Sequence, residues 1–262
     1  AFVYAKPSLD DFNWTARKIC TFAIAIEREA TGTDAPKIDF EIPASIMSCA
    51  KKRVNDYVAG RMAAHQAIAS QTCNRFSGGQ SLEVTRQANG MPSWPDPFVG
   101  SITHTKKFAW AVVGFQADLL GIGIDCEQIV SRRTSLDISE LVATRDELDL
   151  IQSKFDFETS LTLCFSAKEA VYKTINPITN WPIDFRDLSV NTFNDSSLRI
   201  QLKPNRFDFT PAIGFDVGFE FADDHVFSWS LFPHSPISVD LTRHISSRQF
   251  YCTKNRSTVA SI

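Results

Sequence analysis

The stretch GIGIDCEQIV, residues 121 to 130, is the starting point for predicting the fold. It begins as an apolar run typical of a β-strand and carries two acids at its end. In an extended chain, side chains two residues apart lie on the same face. Asp125 and Glu127 therefore point in one direction and Cys126 points in the other. Neighbouring carboxylates repel each other unless a cation or a donor lies between them, and Mg²⁺ prefers hard oxygen ligands. The pair indicates either a magnesium site or a solvated strand end, and a bare D-x-E alone favours the second.

The residues before this stretch predict a helix followed by strands. Residues 46 to 70 carry apolar side chains at helical spacing. Glycines and prolines between 72 and 99 predict a loop region. Three short runs rich in β-branched or aromatic residues then predict strands, namely GSITH (100–104), FAWAVVGF (108–115) and LLGIGIDCE (119–127).

The residues after it repeat that order. Thr144 and Glu147 have the spacing of a capping box, which predicts a helix start. Residues 157 to 175 predict a long amphipathic helix, which we expect NPITNWP to end because proline cannot continue the hydrogen-bond ladder. The later runs LSVNTF, LRIQL, GFDVGFEF and HVFSWSLF predict a meander of strands.

This order predicts an α+β protein of two similar lobes, each a small antiparallel sheet packed on a long helix. We place an N-terminal lobe at residues 1–127, a C-terminal lobe at 128–240 and a peripheral tail at 241–262. No internal repeat is strong enough to prove a duplication.

Bulk composition excludes several classes of protein. The 262 residues carry a net charge of −3, which gives no global argument for nucleic acid or an anionic membrane as a partner. No apolar run approaches the roughly 20 residues that span a bilayer, and the first residues do not read as a secretory signal. The six cysteines are scattered without a C-x-x-C pair, so we expect reduced thiols in a cytoplasmic protein.

A second candidate element is FSAKEAVYK, residues 165 to 173. Glu169 and Lys173 are four residues apart and share one helix face, whereas Lys168 lies about 100° round the helix. An exposed ion pair would explain this spacing, but the apolar residues around it favour a partly enclosed site.

Two further elements could bind an anion. His104 ends a short strand between Thr103 and Thr105, although a histidine at a strand end is more often structural. Arg53 and Arg61 are eight residues apart on the first long helix, so both guanidinium groups project from one stripe.

Together these elements resemble the 4′-phosphopantetheinyl transferases of the enterobactin-synthase type. The matching pieces stand in the family's order across roughly residues 50 to 190. They are RVNDYVAGR (53–61), PSWP (92–95), GSITH (100–104), GIGIDCE (121–127) and FSAKEAVYKTINPI (165–178).

The resemblance implies a pseudo-dimer of two lobes with coenzyme A in the cleft between them. It implies Mg²⁺-dependent transfer of 4′-phosphopantetheine from coenzyme A to a serine of an apo acyl, aryl or peptidyl carrier protein, with release of adenosine 3′,5′-bisphosphate. We further expect a monomer without a nucleic-acid partner or a membrane span, serving siderophore or other secondary metabolism.

The resemblance also assigns roles to residues of this chain. Metal ligands would be Asp125, Glu127 and Glu169; catalytic residues would be Glu169 and Lys173; and coenzyme A would be held by Arg53, Arg61, Thr103, His104 and Lys168. Apart from the resemblance, we expect a hydrophobic wall formed by Phe165 and the NPITNWP turn, with Trp181, to receive the pantetheine arm.

This chain departs from the family's pattern at two places, and other functions stay open. Cys126 replaces an aliphatic residue, and QANGM before PSWP lacks the basic residue that many relatives carry there. A Mg²⁺-dependent nuclease or other phosphodiesterase also uses an Asp, Glu and Lys set. A non-catalytic carrier-protein binding module is the third possibility.

Overall fold

The computed structural model describes residues 20–25, 40–72, 82–106, 108–203 and 212–234. The predicted tail lies outside the described residues. In chain order the elements are β1 (Cys20–Ala25), α1 (Ala44–Met47), α2 (Lys51–Thr72), β2 (Thr85–Arg86), β3 (Pro92–Ser93), β4 (Phe98–His104), β5 (Phe108–Phe115), β6 (Leu119–Gln128), α3 (Arg132–Val142), α4 (Arg145–Gln152), α5 (Phe157–Thr179), β7 (Leu188–Phe193), β8 (Ser197–Leu202), β9 (Ile213–Ala222) and β10 (His225–Pro233), with a 3₁₀ turn at Phe185–Asp187.

Two antiparallel sheets each pack on a long helix. The first has the order β1-β5-β4 and packs on α2, and the second has the order β6-β10-β9-β8-β7 and packs on α5. The predicted α+β class with antiparallel sheets is thereby confirmed. The duplication implied by a pseudo-dimer, and the domain boundaries, stay predictions.

Helix α5 contacts the backbone of β6 directly because β6 has two glycines on the face that α5 covers. A Cβ atom at Gly121 would lie 2.2 Å from the carbonyl oxygen of Thr174, and one at Gly123 would lie 2.0 Å from that of Ala170. Atoms do not approach so closely, so any side chain at either position would push the helix away. The glycines therefore fix both the separation and the register of α5 on β6.

The alternation of β6 is as the sequence predicts. Ile122, Ile124 and Cys126 point away from α5 and pack with Trp110 and Trp229. Cys126 is fully buried, and burial raises the pKa of its thiol. Asp125 and Glu127 thus share the α5 face with the two glycines.

Strands β4 and β6 join the two sheets through side-chain hydroxyls. The hydroxyl of Ser101 accepts a hydrogen bond from the N–H of Ile124 at 3.1 Å, and that of Thr103 accepts one from the N–H of Cys126 at 3.2 Å. From the first of these bonds to the second, the residue number rises by two on both strands, so β4 and β6 run parallel where they meet. The hydroxyls satisfy buried N–H groups that a backbone ladder would otherwise pair.

Several sequence predictions need correction. Helix α5 passes through Pro177 and ends at Thr179, so the predicted stop at NPITNWP was too early. In the last turn, proline removes only one helical hydrogen bond, and the chain ends the helix at Asn180 in the left-handed conformation. The strand β1 and the hairpin β2-β3 were missed, because each depends on pairing with a distant or very short partner. The capping box of Thr144 and Glu147 is confirmed.

Replacing Gly123 by alanine should destabilise the protein by roughly 3 kcal/mol, because the new methyl group meets a helix carbonyl that cannot move alone. Gly214→Ala is the matched control, because its new methyl group meets only the exposed guanidinium of Arg199. Urea unfolding followed by circular dichroism measures both. Equal midpoints for the two variants would show that α5 does not rest on β6 as described.

Candidate functional site

Asp125 lies at the centre of the site and is only 3% exposed. Its Oδ1 accepts hydrogen bonds from Nζ of Lys173 at 2.7 Å and from the hydroxyl of Thr103 at 3.3 Å. Its Oδ2 is buried and has no hydrogen-bond partner among the residues that the structure describes. One oxygen of this carboxylate is thus fixed from two elements, while the other is left unsatisfied.

Glu127 and Glu169 complete a group of three acids. The pKa of Glu127 is raised to about 7, first by burial and then by the charges of Asp125 and Glu169, against the opposing effect of Lys173. The pKa of Glu169 is also raised, mainly by burial. The charge of Lys173 opposes this rise and the charge of Asp125 adds to it. These causes show that the structure brings the three predicted acids within electrostatic reach of each other and of Lys173.

Lys173 supplies the positive charge among these acids. Its ammonium group donates to the carbonyl oxygen of Ile124 at 3.2 Å as well as to Asp125, and its side chain is 27% exposed. The i,i+4 spacing places it one helical turn after Glu169. The predicted grouping of Glu169 and Lys173 with the acids of β6 is therefore present in the structure.

The three acids do not converge on one point. In the described part of the chain, no group of three or more histidine, cysteine, aspartate or glutamate side chains is arranged to hold a metal ion. Lys173 instead occupies one oxygen of Asp125. The metal assignment of Asp125, Glu127 and Glu169 stays a prediction.

Lys168 is predicted to bind a phosphate, but in the structure its ammonium group contacts other groups of the protein. It is 1% exposed, and its ammonium lies 2.8 Å from Oε1 of Glu147 and donates to the carbonyl oxygens of Val142 and Phe185. Glu147 also accepts from the N–H of Val190 and caps α4. The ion pair ties α4 and the 3₁₀ turn to α5, so the structure does not bring Lys168 to Asp125.

A pair of arginines lies on the other side of the site. Arg61 is 5% exposed, stacks 4.6 Å from the ring centre of Tyr57 and donates to the carbonyl oxygen of Thr85 at 3.1 Å. Burial lowers its pKa, and the nearby charges of Arg86 and Arg53 lower it further. Nε of both Arg61 and Arg86 is buried and has no hydrogen-bond partner within the described ranges. Among the described residues, neither arginine forms an ion pair with a carboxylate.

His104 lies between the two sides. Burial lowers its pKa, the carboxylate of Asp56 opposes this effect, and the charges of Lys173 and Arg53 lower it further. Charged residues of both α2 and α5 therefore influence the pKa of His104. Thr103 is buried, and its hydroxyl proton is used by Asp125, so its predicted contact with a phosphate stays a prediction that the observed bonding does not favour.

A cavity of about 350 Å³ opens beside Glu169. It runs along α5 to the segment that follows the helix. The lining residues are Lys168, Glu169, Tyr172, Ile183, Asp184, Phe185 and Leu188. The ring of Phe165 packs at a tilt against Phe185 with ring centres 5.1 Å apart, and Trp181 packs against the large core, so neither of these two predicted wall residues lines the cavity directly.

Arg86, Glu147 and Tyr172 were missed as members of the site. Arg86 precedes QANGM, so a wider search for the basic residue absent near Asn89 would have found it. Tyr172 lies inside FSAKEAVYK, but its ring gives no signal in the sequence that it lines a cavity. The sequence predicts Glu147 only as a helix cap, and no local signal shows that its other oxygen meets Lys168.

Breaking the buried ion pair should destabilise the fold. We expect Lys168→Met and Glu147→Gln each to cost about 3 kcal/mol, because each leaves a partner buried and unpaired, and the double variant to cost less than their sum. Asp149→Asn, in the exposed pair with Arg145, should change stability by less than about 0.5 kcal/mol. Urea unfolding measures all four. A stable Lys168→Met variant with weakened coenzyme A binding would restore the predicted phosphate role.

Glu127 should make the metal-free protein less stable as pH rises. Its pKa is about 7 in the folded chain and 4.5 as the reference value, so between these values the folded state binds more protons than the unfolded state. Stability is therefore lost as pH rises through this window, by at most roughly 3 kcal/mol. Urea titrations in EDTA should show a shallower pH dependence for Glu127→Gln. Identical slopes would contradict the assigned burial of this carboxylate.

Comparison with known proteins gives the same family along most of the chain. The model of the 4'-phosphopantetheinyl transferase N-terminal domain matches residues 43–114, and the model of the 4'-phosphopantetheinyl transferase superfamily matches residues 121–258. No helix in the described residues is both long and apolar enough to cross a membrane.

Curated relatives agree with the family models. Enterobactin synthase component D of Salmonella typhi is 32% identical over 160 residues, covering 61% of this chain and 63% of that protein. Its counterpart in Escherichia coli K12 is 30% identical over 165 residues, covering 63% and 74%. The 4'-phosphopantetheinyl transferase PptT of Mycobacterium tuberculosis is 31% identical over 159 residues, covering 60% and 66%. The chain thus spans somewhat less than two thirds of the first of these relatives. Since the superfamily model alone matches more than half of its residues, the chain belongs to the 4'-phosphopantetheinyl transferase superfamily.

Proposed function

We propose that this protein transfers the 4′-phosphopantetheine group of coenzyme A to a serine of an apo carrier protein and releases adenosine 3′,5′-bisphosphate. The observation that carries this proposal is the packing of α5 on β6, which places Glu169 and Lys173 beside Asp125 and Glu127. The names of the relatives support the same reaction.

The donor set fits Mg²⁺, although the side chains are not yet gathered around one point. All three candidates are carboxylates, and Oδ2 of Asp125 is a buried acceptor without a partner. Burial, and after it the charge of neighbouring carboxylates, raises the pKa of Glu127 and of Glu169, and a divalent cation bound among these acids would stabilise their charged forms. Bound together with the pyrophosphate, Mg²⁺ would neutralise charge on the phosphate oxygens.

Glu169 and Lys173 have the chemistry for proton transfer and charge stabilisation. Glu169 lines the cavity, and its raised pKa makes its carboxylate a better acceptor for the serine proton. Lys173 is partly exposed, so its ammonium can turn from Asp125 toward the departing nucleotide phosphate. The serine oxygen attacks the phosphorus that bears pantetheine, and the bond to the nucleotide phosphate breaks.

Coenzyme A would bridge the two sides of the site. The two arginines with unpartnered Nε atoms suit its nucleotide phosphates, and Arg86 would take the place of the basic residue missing from QANGM. Arg53 and His104 lie between this pair and Lys173. The cavity beside Glu169, lined by Tyr172 and Phe185, would receive the pantetheine arm.

The protein substrate would dock beside α3. Leu136 and Leu141 of this helix are each 61% exposed, and α3 begins four residues after the end of β6. Exposed leucines near a reaction centre fit a protein partner. Similarity to enterobactin synthase component D favours a siderophore carrier, and we propose a monomeric, cytoplasmic enzyme.

The test incubates the protein with Mg²⁺, coenzyme A and a panel of apo carriers from siderophore, nonribosomal-peptide, polyketide and fatty-acid pathways. Mass spectrometry should show one added 4′-phosphopantetheine group on at least one carrier. Asp125→Ala should abolish transfer, and Arg86→Gln should raise the KM for coenzyme A about tenfold or more with a smaller effect on kcat.

Matched variants separate these effects from general damage. Asp216→Ala and Arg145→Gln remove exposed charges far from the site and should retain activity. Cleavage of DNA without modification of any carrier would replace the transferase by the phosphodiesterase alternative. Tight carrier binding without transfer would favour the binding module.

A further inference from the structure

In the part of the chain that the structure describes, four buried side-chain oxygen atoms lack hydrogen-bond partners. They are Oδ2 of Asp125 and the hydroxyl oxygens of Ser166 on α5 and of Ser228 and Ser230 on β10; of these, Asp125 and Ser228 form a pair across β6 and β10. Asp125 is 3% exposed and Ser228 is 1% exposed, so water from the bulk does not reach either atom. A buried polar group without a partner costs free energy, and native proteins rarely leave two beside each other.

The strand register places these two residues directly opposite each other. In the antiparallel pair of β6 and β10, Ser228 is the partner of Asp125, and Ser230 is the partner of Gly123. Opposite residues project from the same face of a sheet, with Cβ atoms roughly 4.5 to 5.5 Å apart. That face is the one covered by α5, because a Cβ atom on Gly123 would contact Ala170. Trp229 lies on the other face.

We propose that Ser228 is a positioning residue for Asp125, whose Oδ2 accepts a hydrogen bond from the Ser228 hydroxyl. Rotation about one side-chain bond brings the hydroxyl toward this oxygen. Only the catalytic consequence of this hydrogen bond rests on the proposed function. The hydrogen bond itself belongs to the folded protein without ligands.

The bond would complete the fixation of the carboxylate. Lys173 and Thr103 hold Oδ1 from α5 and β4, and Ser228 holds Oδ2 from β10. Each carboxylate oxygen has two acceptor positions, so Oδ2 still has room for a cation. A carboxylate held through both oxygens loses little freedom when it binds Mg²⁺, so removal of Ser228 should weaken cation binding.

The first test is a double-mutant cycle of stability in EDTA. Ser228→Ala should shift the urea midpoint in the parent protein and have no effect in the Asp125→Ala background, because the acceptor is already gone. Ser230→Ala is the matched control, since it removes an equally buried hydroxyl opposite a glycine. Its shift should be the same in both backgrounds. An equal shift for Ser228→Ala in both backgrounds would overturn the proposal.

The second test measures cation binding directly with Mn²⁺ as the probe, followed by electron paramagnetic resonance. Ser228→Ala should weaken Mn²⁺ binding roughly tenfold, Ser228→Thr should restore most of it, and Ser230→Ala should leave it unchanged. If the parent protein binds Mn²⁺ and modifies a carrier but Ser228→Ala binds Mn²⁺ equally well, the positioning role fails while the proposed function stands. If the parent protein binds no Mn²⁺, the metal part of the proposed function fails, and the stability cycle alone decides whether the hydrogen bond exists.

Discussion

The contact between α5 and β6, made possible by two glycines, governs the arrangement of the whole site. Without side chains at Gly121 and Gly123, helix carbonyls lie against the strand backbone, and the helix has one allowed register. The acids that follow the glycines on the same face then lie close to Glu169 and Lys173 of the helix. The site is therefore a consequence of close packing, and a shift of α5 would separate Lys173 from Asp125.

The buried charged side chains near this contact are of two kinds, those with an oppositely charged partner and those without one among the described residues. Lys168 and Glu147 neutralise each other with additional backbone hydrogen bonds, as expected for a structural pair. Arg61 and Arg86 remain without a carboxylate partner among the described residues, and burial together with like charges lowers the pKa of Arg61. An uncompensated buried charge is costly in the unliganded protein, and a bound anion of the kind proposed above would offset that cost.

The sequence predicted the part of the site that follows from local geometry. Alternation placed Asp125 and Glu127 on one face, and helical spacing placed Glu169 above Lys173; both arrangements are present. The sequence did not indicate Arg86 as a site residue. It predicted a coenzyme A contact for Lys168 only through the family's pattern. Neither position is explained by its own neighbours in the chain, since the charge of Arg86 is felt by Arg61 on α2, where it lowers the pKa of that arginine.

By itself, the sequence determined the types of the long elements that carry the site, the faces of β6 and α5 and the family, because these depend on periodicity and on motifs read along the chain. Only the tertiary structure decided which lysine meets which acid, Lys173 with Asp125 and Lys168 with Glu147. The two lysines are five residues apart on one helix but project in different directions. Their partners come from different elements, and the packing of those elements against α5 determines which charges come within hydrogen-bonding distance.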